Sequence, residues 1–207
     1  MIGQAFLTKR RAGLRAMNSN VVIEHPKFIN REDLDFIDNS VLSNLFPWYW
    51  GDRQTTKGFP LLGHTLLSRD GDEPNSEVFD FFVGLLKNFC GVHGISIERI
   101  LRGSLNLTYN FNEVHGDPHV DYSFDVHQCI MYLNTCDGGE TILFKEEYGK
   151  DGYVEDIYEV SGDKKFTQKL KVSPVKGKVL YFYGKNYHTH AWCRQGQRRV
   201  ICVFCFV

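Results

Sequence analysis

The spacing of apolar and polar positions changes once along the chain, near residue 100. Before that point the apolar residues recur at helical intervals. Asn30 can cap a helix that carries Glu32 and Asp33 in its first turn and Leu34, Ile37, Val41 and Leu45 along one face. This predicts a helix over 30–45 that ends before Pro47. Ser76 can cap a second helix running to about residue 89, with Val78, Phe82, Leu85 and Phe89 facing inward and Glu77 and Asp80 near its positive end. Residues 21–29 read as extended, 58–67 as irregular or a short strand, and 69–75 as a loop. The aromatic run from Phe46 to Trp50 reads as a core plug rather than the wall of a pocket.

Beyond residue 100 the period falls to two. Strands are expected over 100–110, 118–123, 126–134, 140–144, 169–173, 178–183, 187–193 and 198–206, with turns at Asp137-Gly138-Gly139 and Gly184-Lys-Asn186. No helical pattern separates them, so the expectation is an all-β sandwich or barrel and not a parallel βαβ sheet. Residues 145–169 are rich in charge, Gly and Ser, and read as a solvated excursion from a hairpin or as a lid. A chain of 207 residues is long enough for one closed core. The domain plan is a basic tail over 1–20 and one domain over 21–207, with helical support over 21–99 and a β core over 100–207.

Charge and composition narrow the partners. A formal net charge of −1 argues against nucleic acid or a membrane surface as a bulk partner, and no apolar run reaches the length of a membrane span. The first 17 residues carry Lys9, Arg10, Arg11 and Arg15 without an apolar segment behind them. They read as a flexible basic tail, with Met17 as an alternative start, and not as a signal peptide. Six cysteines invite a metal or disulfide reading, but Cys202 and Cys205 fall three apart in an expected strand, where their sulfurs diverge. Buried free thiols are the simpler reading, and they fit a reducing cytoplasm.

Two His-x-Asp pairs stand close together, His115-Gly-Asp117 and His119-Val-Asp121. The first contains Gly and runs into Pro118, which favours a turn. The second follows Pro118 and holds a β-branched residue, which favours a strand on which His119 and Asp121 share a face. A third ligand must come from elsewhere, and His188 or His190 could supply it. Two histidines and one carboxylate on one face of an octahedron leave three positions open, an arrangement suited to non-haem Fe(II). A structural zinc site would close its shell instead. His25, His64, His93 and His127 lack partner spacing and read as structural. Arg102 and Asn106 read equally as barrel-lining or solvent-facing groups.

An ordered set of short pieces surrounds these residues. Tyr109 stands ten residues before His119, and Tyr132-Leu133-Asn134 is followed by Gly138-Gly139-Glu140-Thr141. Then come Pro174-Val-Lys-Gly177, Phe182-Tyr-Gly-Lys-Asn-Tyr-His188 and Gly196-Gln197-Arg198-Arg199-Val-Ile. In this order and spacing the chain from about residue 100 resembles the 2-oxoglutarate/Fe(II) dioxygenases, nearest to their prolyl-4-hydroxylase-like branch and its short phage-type relatives.

The resemblance implies a mainly β fold, a double-stranded β-helix (a cupin-like jelly roll) buttressed by N-terminal helices. It implies that His119, Asp121 and His188 bind Fe(II) and that an arginine after the distal histidine anchors 2-oxoglutarate. A guanidinium suits a carboxylate because it offers a planar pair of donors. Arg198 lies ten residues after His188, as the prolyl-hydroxylase pattern expects, and Arg199 lies eleven after, as in the phage-type relatives. Strand alternation should turn only one inward, and the spacing favours Arg198. Tyr109 and Tyr132 match positions whose hydroxyls help to hold the co-substrate. The implied reaction hydroxylates an unactivated C–H bond with O2 as oxidant and ascorbate as a candidate reductant. The expected substrate is a peptidyl proline, with a free amino acid or another small metabolite second. A catalytically silent cupin-like binding module is the reading from a different class.

Overall fold

The computed structural model describes residues 21–51, 61–69, 73–110, 116–150 and 165–207. The expected basic tail, His115 and most of the 145–169 excursion therefore lie outside the described residues. In chain order the elements are β1 (Val22–His25), α1 (Arg31–Asn39), β2 (Tyr49–Gly51), β3 (Leu61–Leu67), α2 (Phe79–His93), β4 (Ile100–Tyr109), β5 (His127–Tyr132), β6 (Thr141–Glu147), β7 (Gln168–Val172), β8 (Val179–Tyr183), β9 (Asn186–His190) and β10 (Arg198–Phe206).

Both helices form where the spacing places them, but their ends differ. Asn30 caps α1 by accepting from the Asp33 amide at 2.9 Å. The helix stops at Asn39, short of the expected residue 45. There Asn39 and Ser40 turn their own side chains onto the Asp35 and Phe36 carbonyls, which competes with the helical ladder. Leu45, expected on the inner face, is 93% exposed as a result. Ser76 does not cap α2, which begins three residues later; its hydroxyl accepts from the Val78 amide and pairs with His64. The helix runs on to Gly94, whose φ of 66° closes it with bonds back to Cys90 and Gly91. The aromatic run splits. Phe46 and Trp48 pack on the core, whereas Tyr49 and Trp50 stand exposed on the short edge strand β2.

The strands form two antiparallel sheets, one ordered β1-β8-β5-β10-β4-β3-β2 and the other β7-β6-β9. Alternate residues of the seven-stranded sheet meet two different surroundings. Leu105, Leu107, Met131, Val200, Cys202, Phe204 and Phe206 pack against α1 and α2 through Ile37, Phe82, Leu86 and Phe89. Their neighbours in sequence face the small sheet, where Ile130, Tyr132, Leu180, Phe182, Ile201 and Val203 meet Leu143, Leu170 and Val172. The fold is thus mainly β, a two-sheet roll with helices behind one sheet. All six cysteines are free. No described helix is long and apolar enough to cross a membrane.

One expected strand does not form. Residues 118–123 make a single bridge, His119 to His188, through two backbone hydrogen bonds of 2.9 Å. At the next ladder position, 121 opposite 186, the Asp121 carbonyl accepts from Arg69 and the Asn186 carbonyl accepts from the His188 ring.

Candidate metal centre

His119 and His188 meet because that bridge holds their backbones side by side, and their ring centroids stand 4.6 Å apart. His188 lies on β9 opposite Leu143 of β6, and both face the space between the sheets. His190, two residues on, lies opposite Thr141 and packs edge-on against Trp192. Of the two distal histidines, His188 is the one against His119 and Asp121.

Asp121 is not aimed by strand geometry. Its aim comes from the groups around it. Arg102 reaches Oδ1 at 2.8 Å and Gln128 donates to Oδ2 at 2.7 Å. Arg69 bonds the Asp121 carbonyl and stands 3.6 Å from Oδ1, with its guanidinium stacked on Tyr122 at 4.5 Å. The Cys205 thiol lies 3.7 Å from Oδ2. Burial pushes the Asp121 carboxyl upward, but Arg102, His188, His119 and Arg69 together hold it well below the usual carboxylate range. It is ionised in the folded protein.

His188 moves the other way. Burial, with His119 beside it, pushes its imidazole down to about 3, so it is neutral near pH 7. Its Nδ1 donates to the Asn186 carbonyl at 3.3 Å, which leaves the Nε2 lone pair directed toward Gln128 and, 3.9 Å away, Asp121 Oδ2. His119 Nδ1 donates to the Asp117 carbonyl at 2.9 Å.

The chemistry of this set fits a divalent cation, with two imidazole nitrogens and an ionised carboxylate as donors. Among the described residues, no three His, Cys, Asp or Glu side chains already close around a common point. The Asp121 and His188 donor atoms are neighbours whose lone pairs are taken up by protein N–H groups.

A second polar cluster lies farther along the same interior. Arg199 is 3% exposed, donates to the Thr141 hydroxyl at 2.9 Å and has its guanidinium carbon 5.8 Å from the Tyr132 ring centroid. Tyr132 donates to the same hydroxyl at 2.6 Å, and burial pushes its phenol up to about 12, so it stays neutral. The Arg199 Nε is buried without a hydrogen-bond partner, and among the described residues no carboxylate pairs with this guanidinium. Thr141 and His188 sit on one face of adjacent strands, one inward position apart, about 7 Å along the strand.

Arg198 and Tyr109 are placed elsewhere. They pair with each other across β10 and β4, on the face opposite Arg199. Arg198 donates to the Leu42 carbonyl at 3.3 Å, and Tyr109 is 42% exposed. The spacing that favoured Arg198 counts residues along the chain, whereas the register of β10 decides which one points inward. It is Arg199.

Arg69 and Gln128 are absent from the sequence reading, and Thr141 and Cys205 stand in it only as part of a motif and as a buried thiol, without a place in the site. A signal was present for part of the set. On β4 the row Arg102, Ser104, Asn106, Thr108 is polar at every second position of a largely buried strand, and Gln128 continues that pattern on β5. Those side chains line the interior, which answers the open question about Arg102 and Asn106.

No family model and no curated protein matches this sequence. Solved structures do match. A 2OG-Fe(II) oxygenase family oxidoreductase from Burkholderia pseudomallei is similar over 89% of this chain and 84% of its own, at 16% identity and a TM-score of 0.63. A prolyl hydroxylase from Trichoplax adhaerens, solved with a hypoxia inducible factor peptide fragment, is similar over 89% and 82% at 13% identity and a TM-score of 0.57. The epimerase SnoN from nogalamycin biosynthesis is similar over 90% and 78% at 11% identity and a TM-score of 0.61. At these identities the likeness establishes the fold. It is the jelly roll of the 2-oxoglutarate/Fe(II) oxygenases.

Proposed function

We propose that this chain is an Fe(II)- and 2-oxoglutarate-dependent oxygenase that hydroxylates an unactivated C–H bond, with a peptidyl proline as its leading substrate. One observation carries the reading. An imidazole–carboxylate–imidazole set and a buried guanidinium without a carboxylate partner among the described residues face the same interior, the guanidinium held on Thr141, one inward position of β6 from the residue opposite His188.

His119, Asp121 and His188 would hold the iron. Bound there with O2 and 2-oxoglutarate, it would supply the oxidising chemistry that C–H hydroxylation requires. The chain's own residues do the rest. Arg199 would take the far carboxylate of 2-oxoglutarate, supported by the Thr141 and Tyr132 hydroxyls. Leu143 and Phe182, whose ring packs edge-on against His188 at 5.1 Å, keep water from that side of the centre. The carboxylate of Asp121 stays ionised because the arginines beside it favour its charge.

Support for a peptidyl proline is the resemblance of the motif set together with the prolyl hydroxylases among the structural neighbours. A small-molecule substrate is the alternative, supported by a neighbour solved with a nogalamycin. Anaerobic addition of Fe(II) and 2-oxoglutarate should raise a weak visible charge-transfer band that His119→Ala lacks. Succinate release with a proline-rich peptide, set against a panel of free amino acids, separates the two substrate classes. A wild-type protein with neither band nor succinate would move the chain to the class of silent binding modules.

A further inference from the structure

Gln128 occupies an unusual place in this centre. It is 1% exposed and faces inward from β5, in register with Cys205 on one side and Phe182 on the other. Its Nε2 lies 2.7 Å from Asp121 Oδ2 and 3.1 Å from His188 Nε2, two atoms that stand 3.9 Å apart. An amide nitrogen has no lone pair to offer, so it must donate to both. The amide cannot be turned over, because its oxygen would then face the carboxylate. Its Oε1 is buried and, among the described residues, has no hydrogen-bond partner. Gln128 is thus held at its donor end by the lone pairs that a cation would take.

We propose that Gln128 is a positioning residue that competes with the metal for His188 and so sets the affinity of the centre. The proposal rests on the metal-centre reading above. When His188 Nε2 binds a cation, its hydrogen bond from Gln128 must break, while the bond to Asp121 Oδ2 can persist. The wild-type side chain therefore stabilises the metal-free arrangement by one hydrogen bond more than the metal-bound one. Removing that donor tightens metal binding by roughly tenfold, the worth of one such bond. A residue that served only to build the site would have the opposite effect when removed.

The test titrates the full chain with Co(II), anaerobically, following the visible ligand-field bands and the melting temperature with and without metal. Gln128→Leu should bind Co(II) about tenfold more tightly than wild type. The isosteric Gln128→Glu, which loses both donors and gains a carboxylate, should bind at least as tightly as the leucine variant. Both should melt below wild type without Co(II) and recover part of the difference when saturated, because only the bond to Asp121 is then still missing. Cys205→Ala, which removes a neighbour of Asp121 Oδ2 but leaves His188 untouched, should change affinity little. Two results overturn the proposal: foldable variants that bind Co(II) no more tightly than wild type, or melting lowered equally with and without metal. If one variant does not fold, the other decides. A wild-type chain that binds no Co(II) overturns the metal-centre reading as well, whereas wild-type binding with unchanged variants overturns this proposal alone.

Discussion

The two faces of the seven-stranded sheet are made by the same strands and do opposite things. On β4, β5 and β10 the residues turned to the helices are Leu105, Leu107, Cys129, Met131, Val200, Cys202, Phe204 and Phe206, an apolar surface closed by α2. Their immediate neighbours in sequence are Arg102, Ser104, Asn106, Thr108, Gln128, Tyr132 and Arg199, turned into the interior. One face gains stability by removing hydrocarbon from water. The other turns hydroxyls, two amides and two guanidiniums inward, whose desolvation must be offset by hydrogen bonds or by a ligand. A one-residue slip of β10 would exchange the two sets and lose both the core and the site.

The largest expected effect is on the helix-backed face. Phe204→Ala should cost about 3–5 kcal/mol in urea unfolding, the usual loss for a fully buried phenylalanine. Phe204 lies over Gly103, where an added Cβ would come within 2.7 Å of its ring, so the gap is not readily filled from that side. A loss below about 1 kcal/mol would mean that this face does not hold the fold.

The interior face should separate function from stability. Arg199→Met should weaken 2-oxoglutarate binding by roughly 100-fold, the loss of a charge-assisted pair with a carboxylate. Its melting temperature should hold or rise, because a buried cation with no carboxylate partner among the described residues gives way to an apolar side chain of similar size. Arg198→Met, one residue away on the other face, should leave the affinity nearly unchanged. Isothermal titration under nitrogen reads all three proteins, and a larger loss in Arg198→Met than in Arg199→Met would break the comparison.

The smallest effect concerns the one ionisable ring on the helix-backed side of β5. His127 packs between Tyr181 and Phe206 and bonds the Tyr181 hydroxyl at 2.5 Å, and burial lowers its pKa below the ordinary 6.5. As pH falls through 6.5 the unfolded chain takes up a proton that the folded chain does not, so stability falls toward acid. His127→Phe lacks that component. Its urea midpoint should decline less steeply than wild type between about pH 7 and about pH 5. Parallel declines would place the acid sensitivity in other groups.

Much of this molecule is legible along the chain. The change of period near residue 100 marks the passage from helices to strands, and β4, β8 and β10 lie within one residue of their expected bounds. The misses share a cause. α1 is shorter because the Asn39 and Ser40 side chains bond the Asp35 and Phe36 carbonyls, and 118–123 stops at one bridge, where side chains take the Asp121 and Asn186 carbonyls. Each is a contest between hydrogen bonds that periodicity does not see. Tyr109 has the right spacing from His119 and the wrong side of β4.

By itself the sequence determined the alternating faces, the β-rich class, and a short list of imidazoles, carboxylates and arginines that could make one centre. Those follow from local periodicity and residue chemistry. Only the tertiary structure decided that His188 stands by His119, that Arg199 turns inward, and that Arg102, Arg69 and Gln128 converge on Asp121. These are matters of register between strands far apart in the chain, and hydrophobic pattern fixes a face without naming the residue across from it.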